Sequence, residues 1–175
     1  MQYKISIISL IILGIIYIIS RYVYFNPTNS EIKGYYLVYK PITYVKNDLV
    51  LVCIRDPQSI EVLYKFKLPR TKKEKCELPF LLKKVAAKFG DKIEITNMGI
   101  KINDVLLANT EALRQVRGIS LNRLTIGTKY ILNKNEYFLL GEGSNSYDSR
   151  YFGVVKKDDL RYKAILLWQR DRTIF

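Results

Sequence analysis

The feature that most constrains this chain is an uncharged, isoleucine-rich run of sixteen residues, Ile5 to Ser20, between Lys4 and Arg21. As a helix it would span about 24 Å, slightly less than the roughly 30 Å hydrocarbon core of a bilayer. The long side chains of the flanking cations can reach the membrane surface, and three of the four residues after Arg21 are aromatic, as at membrane interfaces. The pattern predicts a retained membrane anchor over residues 1–25.

Two other interpretations of this segment stay open. A cleaved signal peptide would also carry a basic residue before an apolar stretch, although no small-x-small cleavage site precedes Arg21. A helix buried in a protein core would normally show a polar face, and this one has almost none. The positive-inside rule gives no orientation, because cations lie close to both ends of the segment.

Residues 26–175 predict one mainly β domain, because short aromatic and β-branched runs alternate with turn residues. The predicted strands are 35–40, 49–54, 60–67, 93–95, 99–106, 137–140, 152–155 and 164–168. Helical periodicity is weak after the anchor, and only residues 110–117 could form a turn or two of helix. The chain is therefore predicted to be a β-rich domain on a single helical stalk.

The complete absence of histidine limits the chemistry that the domain can perform. It excludes a Ser-His-Asp triad, a Cys-His dyad and any site that needs imidazole as a base or metal ligand. With only two cysteines, a four-ligand structural zinc site is not expected either. Catalysis would have to use lysine, carboxylate, tyrosine, hydroxyl or thiol groups.

The net charge of +13 has two interpretations. It could attract nucleic acid or an anionic membrane surface, or it could reflect lysine-rich codon use. The cations are spread along the chain, with one cluster at residues 70–75. No zinc-finger spacing, RNA-recognition signature or helix-turn-helix pattern is present, so no nucleic-acid partner is expected.

Three separated segments hold the residues that could carry chemistry: 26–34, 81–91 and 141–153. In the second, Lys83 and Lys84 lie in an apolar run, where desolvation would lower the pKa of an ammonium group. A neutral lysine can act as a general base, which a chain without histidine would need. Strand alternation alone does not choose between the two lysines.

Taken singly, each candidate also has an ordinary structural interpretation. Ser30 could cap a turn, and Lys83 could be a strand lysine whose amine reaches solvent. Asp148 and Arg150 could form a surface ion pair. The residues gain significance only from their order and spacing along the chain.

Together, the motifs resemble the Ser/Lys signal peptidase family, and most closely its TraF-like branch, the conjugative-transfer pilin peptidases. NPTNSEIKG, from residue 26, resembles the serine box of this branch, and SYDSRYFG, from residue 146, resembles its most specific motif. The resemblance covers most of the chain. It implies a signal-peptidase-like β fold for a catalytic domain over residues 26–175, on one N-terminal transmembrane helix. No cofactor or metal is expected.

The resemblance assigns roles residue by residue. Ser30 takes the place of the nucleophile, and Lys83, seven positions before Gly90, takes that of the general base. Thr28 matches the position whose hydroxyl joins the Ser30 backbone N–H in the oxyanion hole. Ser146 matches the hydroxyl that orients the base lysine.

Asp148 and Arg150 match a supporting ion pair that shapes the active-site loop. The sequence departs from the family pattern after the nucleophile, where Glu31 and Ile32 replace an apolar residue and a proline. It also has Phe89 in place of the proline of a Pro-Gly-Asp motif. A carboxylate beside the nucleophile could alter substrate preference, or raise the pKa of the base lysine.

The function implied is that of a membrane-bound serine endopeptidase, which processes pilin-like or secreted precursors of a conjugative or type IV secretion system through an acyl-enzyme. An extended precursor would dock by β-augmentation, with small side chains at the first and third positions before the cut. The resemblance also places the domain on the outer face of the inner membrane, with membrane lipid as a second partner. In that compartment Cys53 and Cys76 could form a disulfide, and the branch commonly carries a cysteine pair in this region.

Two alternatives belong to other functional classes. The first is a membrane-anchored structural component of a secretion or conjugation apparatus, made catalytically inactive by Glu31. The second is a basic adaptor that binds the membrane surface through the cluster at residues 70–75.

Overall fold

A computed structural model of the chain describes residues 2–68 and 75–170, and side chains from residue 8 onward within those ranges. Of the basic cluster predicted at residues 70–75, all but Lys75 lies outside the described residues.

The described residues form three α-helices and thirteen β-strands, with one short 3-10 turn at Lys157–Asp159. The helices are α1 (Gln2–Ser20), α2 (Pro57–Lys65) and α3 (Ser149–Phe152). The first six strands are β1 (Val23–Asn26), β2 (Gly34–Tyr39), β3 (Leu49–Val52), β4 (Leu81–Lys88), β5 (Lys92–Thr96) and β6 (Gly99–Ile102). The others are β7 (Val105–Leu106), β8 (Gln115–Val116), β9 (Ile119–Ser120), β10 (Lys129–Ile131), β11 (Glu136–Leu140), β12 (Val155–Lys156) and β13 (Leu160–Gln169).

The strands make one large sheet and two small ones, so the prediction of a mainly β fold is confirmed. The large sheet has seven strands in the order β1-β2-β13-β3-β4-β11-β12, and each neighbouring pair is antiparallel. A four-stranded sheet has the order β10-β5-β6-β7, and β8 pairs with β9 in a separate ribbon. The centre of the large sheet, β3-β4-β11, positions the candidate site described below.

The core is divided between the two faces of the large sheet. Strand β2 shows the expected period of two, because Tyr36 and Val38 are buried while Tyr35 and Leu37 are exposed. On one face, α2 packs with residues of β3, β4 and β11 in a cluster that includes Leu63. On the other face, a cluster from β2, β3, β13 and the segment before β4 surrounds the two cysteines. Burial on both faces explains why β3, with the sequence LVLV, is a continuous apolar run.

Three local predictions were wrong. Residues 60–67 were predicted as a strand, but the structure has α2, because Asp56 accepts a hydrogen bond from the Ser59 N–H at 2.7 Å and Pro57 follows in the first turn. The strand predicted at 152–155 begins only at Val155, because Phe152 is the last residue of α3. In the region 110–117 the structure has only the two residues of β8 and no helix.

Helix α1 covers the apolar N-terminal run, and from Ile8 onward its large apolar side chains are more than half exposed. Within the described part of the chain, however, no helix meets the length and apolarity needed to cross a membrane, so the predicted transmembrane helix is not confirmed. Strand β1 begins at Val23 and pairs with β2, so the sheet takes up the last three residues of the predicted anchor segment.

A disulfide joins Cys53 and Cys76, whose Cα atoms are 5.8 Å apart. Both residues are buried, and they pack against Leu51, Phe80 and Leu82. The bond ties the chain just after β3 to the segment that enters β4, and so closes the connection that contains α2. It therefore restrains the position of β4, the strand that carries Lys83.

We expect the double substitution of Cys53→Ala with Cys76→Ala to lower the free energy of unfolding by about 3 kcal/mol, because the closed loop restricts the unfolded chain. Denaturant unfolding of the full chain in detergent, with and without reductant, measures this effect. Reductant should destabilise the wild type and leave the double variant unchanged. An equal response of both proteins would contradict the prediction.

Candidate active site

The candidate serine lies in a loop between β1 and β2, closed where Asn26 pairs with Gly34. One buried amide, that of Asn26, organises this loop. Its Nδ2 donates to the carbonyl oxygens of Thr28 (3.3 Å), Glu31 (3.3 Å) and Ile32 (3.2 Å). Its Oδ1 accepts hydrogen bonds from the backbone N–H (3.2 Å) and the hydroxyl (2.8 Å) of Thr28. The serine-box motif contains Asn26, but sequence reasoning assigned it no role.

Thr28 and Ser30 lie side by side in this loop. Their hydroxyl oxygens are 2.9 Å apart, which is a hydrogen-bond distance. The predicted nucleophile and the predicted oxyanion-hole hydroxyl are therefore in direct contact.

Lys83 is buried in the middle of the large sheet, opposite Val50 of β3. Burial lowers the pKa of its ammonium group to about 8. The negative charges of Asp148 and Glu31 oppose this shift, and the positive charge of Arg150 adds to it. Its neighbour in the strand is different, since Lys84 forms an ion pair with Glu142 at 2.8 Å and is about one-third exposed. The structure thus shows that Lys83 is the buried lysine and Lys84 the partly exposed one, which the alternation of side chains along a strand could not decide.

The loop after β11 packs directly against the serine loop. The backbone N–H of Glu142 donates to the Ser30 carbonyl at 2.9 Å. Gly141 and Gly143 permit this approach, because a Cβ atom at Gly143 would lie 3.1 Å from the Asn29 carbonyl oxygen. A Cβ atom at Gly141 would overlap the side chain of Ser146. Close packing therefore requires glycine at position 141, whereas a side chain at position 143 would need the Asn29 carbonyl group to shift by a few tenths of an ångström.

Asp148 and Arg150 form a completely buried ion pair behind this loop, not the surface pair considered above. Arg150 Nε and Nη2 donate to the two carboxylate oxygens of Asp148, both at 2.8 Å. Asp148 also accepts from the Gly141 N–H at 3.0 Å. The remaining guanidinium bonds go to the carbonyl oxygens of Glu111, Gly143, Ser144 and Ser146, at 3.0 to 3.2 Å. The pair holds the backbone of the 141–146 loop in one shape.

Ser146 is buried in the same loop, and its hydroxyl oxygen has no hydrogen-bond partner within the described residues. The predicted hydrogen bond between Ser146 and the base lysine is therefore not made in this structure. A buried hydroxyl without a partner is costly, so its position needs an explanation. It lines the same groove as Lys83.

That groove has a volume of about 520 Å³ and receives four of the predicted site residues, Thr28, Ser30, Lys83 and Ser146. Its apolar wall comes from α2, from β4 and from the segment before β4, and includes Leu63, Phe66, Phe80 and Leu82. Asp148 and Arg150 do not line the groove. In the described ranges, no group of three or more carboxylate or cysteine side chains is placed to hold a metal ion.

Glu31, the departure from the family pattern, turns away from the groove. With Ile32 and Glu142 it lines a separate cavity of about 910 Å³. It is almost completely buried, and its Oε1 has no hydrogen-bond partner among the residues the structure describes. Burial and the nearby charge of Glu142 raise the pKa of Glu31 to about 7, against the opposing effect of Lys84 and Lys83. Its charge also raises the pKa of Lys83, one of the two effects that the sequence left open, but desolvation is the larger effect and lowers that pKa.

Known proteins that are similar to this chain include a plasmid transfer protein and a signal peptidase. The chain is 30% identical over 93 residues to the plasmid transfer protein TraF of Escherichia coli, which corresponds to 51% of this chain and 52% of that protein. The aligned region thus spans about half the length of this curated relative. A crystal structure of a signal peptidase I from Enterococcus faecalis aligns with 69% of this chain and 96% of its own, with 19% identity and a TM-score of 0.39.

The sequence profile of the family described as "Signal peptidase, peptidase S26" matches residues 2–169. This match covers nearly the whole chain and includes all three motifs. The chain therefore belongs to the signal peptidase family, peptidase S26, as its motifs predicted.

Proposed function

We propose that this protein is a membrane-bound serine endopeptidase with a Ser30–Lys83 dyad that processes precursors through an acyl-enzyme. The observation that carries the proposal is that Ser30 and the buried Lys83 both line one groove. Family membership supports the reaction class, and the low pKa of Lys83 supports its role as a base, since a substantial fraction is neutral near pH 8.

In the proposed first step, neutral Lys83 accepts the hydroxyl proton of Ser30 while Ser30 Oγ attacks the carbonyl carbon of the scissile bond. The backbone N–H of Ser30 and the hydroxyl of Thr28 donate to the oxyanion, and one such donor contributes about 3 kcal/mol. Lys83 then returns the proton to the leaving amine as the C–N bond breaks. In the second step Lys83 accepts a proton from water while the water oxygen attacks the ester carbonyl carbon, and it then returns this proton to Ser30 Oγ as the C–O bond of the ester breaks.

The register of β4 supports binding of an extended precursor as an added strand. Residues Leu81 to Lys83 pair with β3 on one side. Pairing with β11 on the other side begins only at Lys84. Within the described strands, the free edge of residues 81–83 therefore faces the groove, where a substrate strand could form main-chain hydrogen bonds. The buried Lys83 side chain would then lie beside the bound backbone.

Exposed apolar side chains support attachment to a membrane, which we retain in the proposal as a single-pass anchor. Besides the side chains of α1, an aromatic patch on β1, β2 and β13 contains Phe25, Tyr35 and Trp168. The ring centroids of Phe25 and Tyr35 are 4.9 Å apart, and those of Tyr35 and Trp168 are 6.0 Å apart. Leu37 and Ile165 extend the patch and are partly exposed. Because β1 follows α1 directly, the patch would lie near the lipid surface.

We propose as the substrate a pilin-like or other precursor of a conjugative or type IV secretion system, cut on the outer face of the inner membrane. The name of the TraF relative, a plasmid transfer protein, supports the link to conjugation. One observation favours a second candidate function, a catalytically inactive structural component of such an apparatus. Glu31 places a buried carboxylate directly after the nucleophile, where the family pattern has an apolar residue.

Substitution of either dyad residue should abolish cleavage. We expect Ser30→Ala and Lys83→Met each to lower the turnover of a quenched fluorogenic peptide, with alanine at the first and third positions before the cut, by at least about a thousandfold. The matched control is Lys84→Met, which removes the adjacent, partly exposed amine and should change turnover only a few-fold. Equal activity of the wild type and Ser30→Ala would contradict the serine mechanism. A wild type that neither cleaves nor reacts with a fluorophosphonate would favour the structural component.

Activity should depend on pH through the protonation of Lys83. Only the neutral amine accepts a proton, so kcat/KM should fall about tenfold per pH unit below the pKa of about 8 and level off above it. Steady-state rates between pH 5.5 and 9.5 measure this profile. A rate constant independent of pH between 6 and 9 would argue against lysine as the base.

Neutralising Glu31 should move that profile. The negative charge of Glu31 raises the pKa of Lys83, so Glu31→Gln should shift the acid limb of kcat/KM to lower pH and increase the rate near neutrality. The comparison is with Glu61→Gln, which removes an exposed carboxylate on α2 paired with Lys65 and should leave the profile in place. A shift to higher pH in Glu31→Gln would contradict the electrostatic assignment.

A further inference from the structure

We propose that Asn26 is a positioning residue: it fixes the Thr28 hydroxyl as the donor to Asn26, and therefore the Ser30 hydroxyl as the donor to Thr28, and so orients the nucleophile. The proposal deepens the function above and rests on it. It follows from the hydrogen-bonding capacity of three side chains whose contacts the structure defines.

The orientation of the Asn26 amide is determined by its surroundings. One end faces three carbonyl oxygens, which can only accept hydrogen bonds, so this end must be the NH₂ group. The other end faces the backbone N–H of Thr28, which can only donate, so it must be the oxygen. A flipped amide would lose all four bonds.

This orientation determines the direction of the next two hydrogen bonds. Asn26 Oδ1 carries no hydrogen, so the bond of 2.8 Å to Thr28 must use the single hydroxyl hydrogen of Thr28. Thr28 Oγ1 can then only accept in its contact with Ser30. The hydrogen of Ser30 is therefore donated to Thr28 across the 2.9 Å between the two oxygens, and a lone pair of Ser30 Oγ remains available.

The resting geometry thus holds the Thr28 oxygen beside the nucleophile and defines where the Ser30 hydrogen points before substrate arrives. For reaction, the Ser30 hydrogen turns to Lys83 and the Thr28 hydrogen turns to the oxyanion, both by rotation about a C–O bond. Asn26 still holds the Thr28 backbone N–H during these rotations. Loss of Asn26 would release the Thr28 side chain from this position, so it should lower kcat more than it raises KM.

A double-mutant cycle tests whether Asn26 acts through the Thr28 hydroxyl. Its members are the wild type, Asn26→Ala, Thr28→Val and the combined variant, in the full chain in detergent with the fluorogenic peptide. We expect Asn26→Ala to lower kcat about tenfold when Thr28 is present and less than about threefold in the Thr28→Val background. Thr28→Ser, which keeps the hydroxyl, should retain the full dependence on Asn26. If Asn26→Ala does not fold, Asn26→Ser replaces it in the cycle.

A purely structural role would give a different result. An equal loss of kcat from Asn26→Ala with and without the Thr28 hydroxyl, or no loss in either background, would overturn the proposal. The matched control is Asn103→Ala, which removes an amide that is also bonded at both ends, to Asp91 and to the Lys92 N–H, but lies outside the groove. It should lower the unfolding midpoint without a change in kcat.

The unfolding midpoints of the same four proteins keep this test separate from that of the proposed function. If the wild type cleaves no peptide and reacts with no fluorophosphonate, the peptidase proposal fails. If the effects of the two substitutions on the unfolding midpoint are not additive, the hydrogen bond between Asn26 and Thr28 is still supported. If the two effects are additive, the proposed hydrogen bond is overturned as well.

Discussion

The buried ion pair between Asp148 and Arg150 is the interaction on which the rest of the site depends. Two charges buried this deeply are stable only when their hydrogen bonds are satisfied, and removal of one partner from such a pair generally costs about 3–5 kcal/mol. Here the remaining donors of the guanidinium bind four backbone carbonyl oxygens, three of them in the 141–146 loop. That loop presents Ser146 to the groove and binds the carbonyl oxygen of Ser30. A single ion pair therefore connects the sheet, the 141–146 loop and Ser30, the proposed nucleophile.

The same pair contributes to the electrostatics of the buried amine. Desolvation favours the neutral form of Lys83, whereas the carboxylates of Asp148 and Glu31 favour its charged form and Arg150 opposes them. Their balance leaves the pKa of Lys83 near 8, which suits a base that must be partly neutral and still able to return a proton. Burial in the centre of the sheet makes this possible, because an exposed lysine would stay charged. The fold thus keeps a fraction of this amine neutral, which the proposed role of Lys83 as a base requires.

Much of the architecture was predictable from local patterns. Short β-branched and aromatic runs indicated a mainly β domain, and eight of the strands lie in or overlap the predicted runs. The segment 60–67 was misassigned because IEVLYKFK partly alternates, while the helix signal lies before it in Asp56 and Pro57. The motifs identified Ser30 and Lys83 as candidates, but the role of Asn26 was not visible, because its bonds reach loop carbonyl groups whose positions depend on the closed hairpin.

By itself, the sequence determined the class of chemistry and the candidate residues. The absence of histidine excludes imidazole catalysis, and three spaced motifs identify the peptidase family whatever the fold of the intervening chain. Only the tertiary structure decided which lysine is buried, because Lys83 and Lys84 are identical residues at adjacent positions. The packing of β4 between β3 and the 141–146 loop buries Lys83 and leaves Lys84 partly exposed. Only the tertiary structure brought Ser30 to the groove of Lys83, since residues more than fifty positions apart meet through long-range strand pairing, which local sequence does not encode.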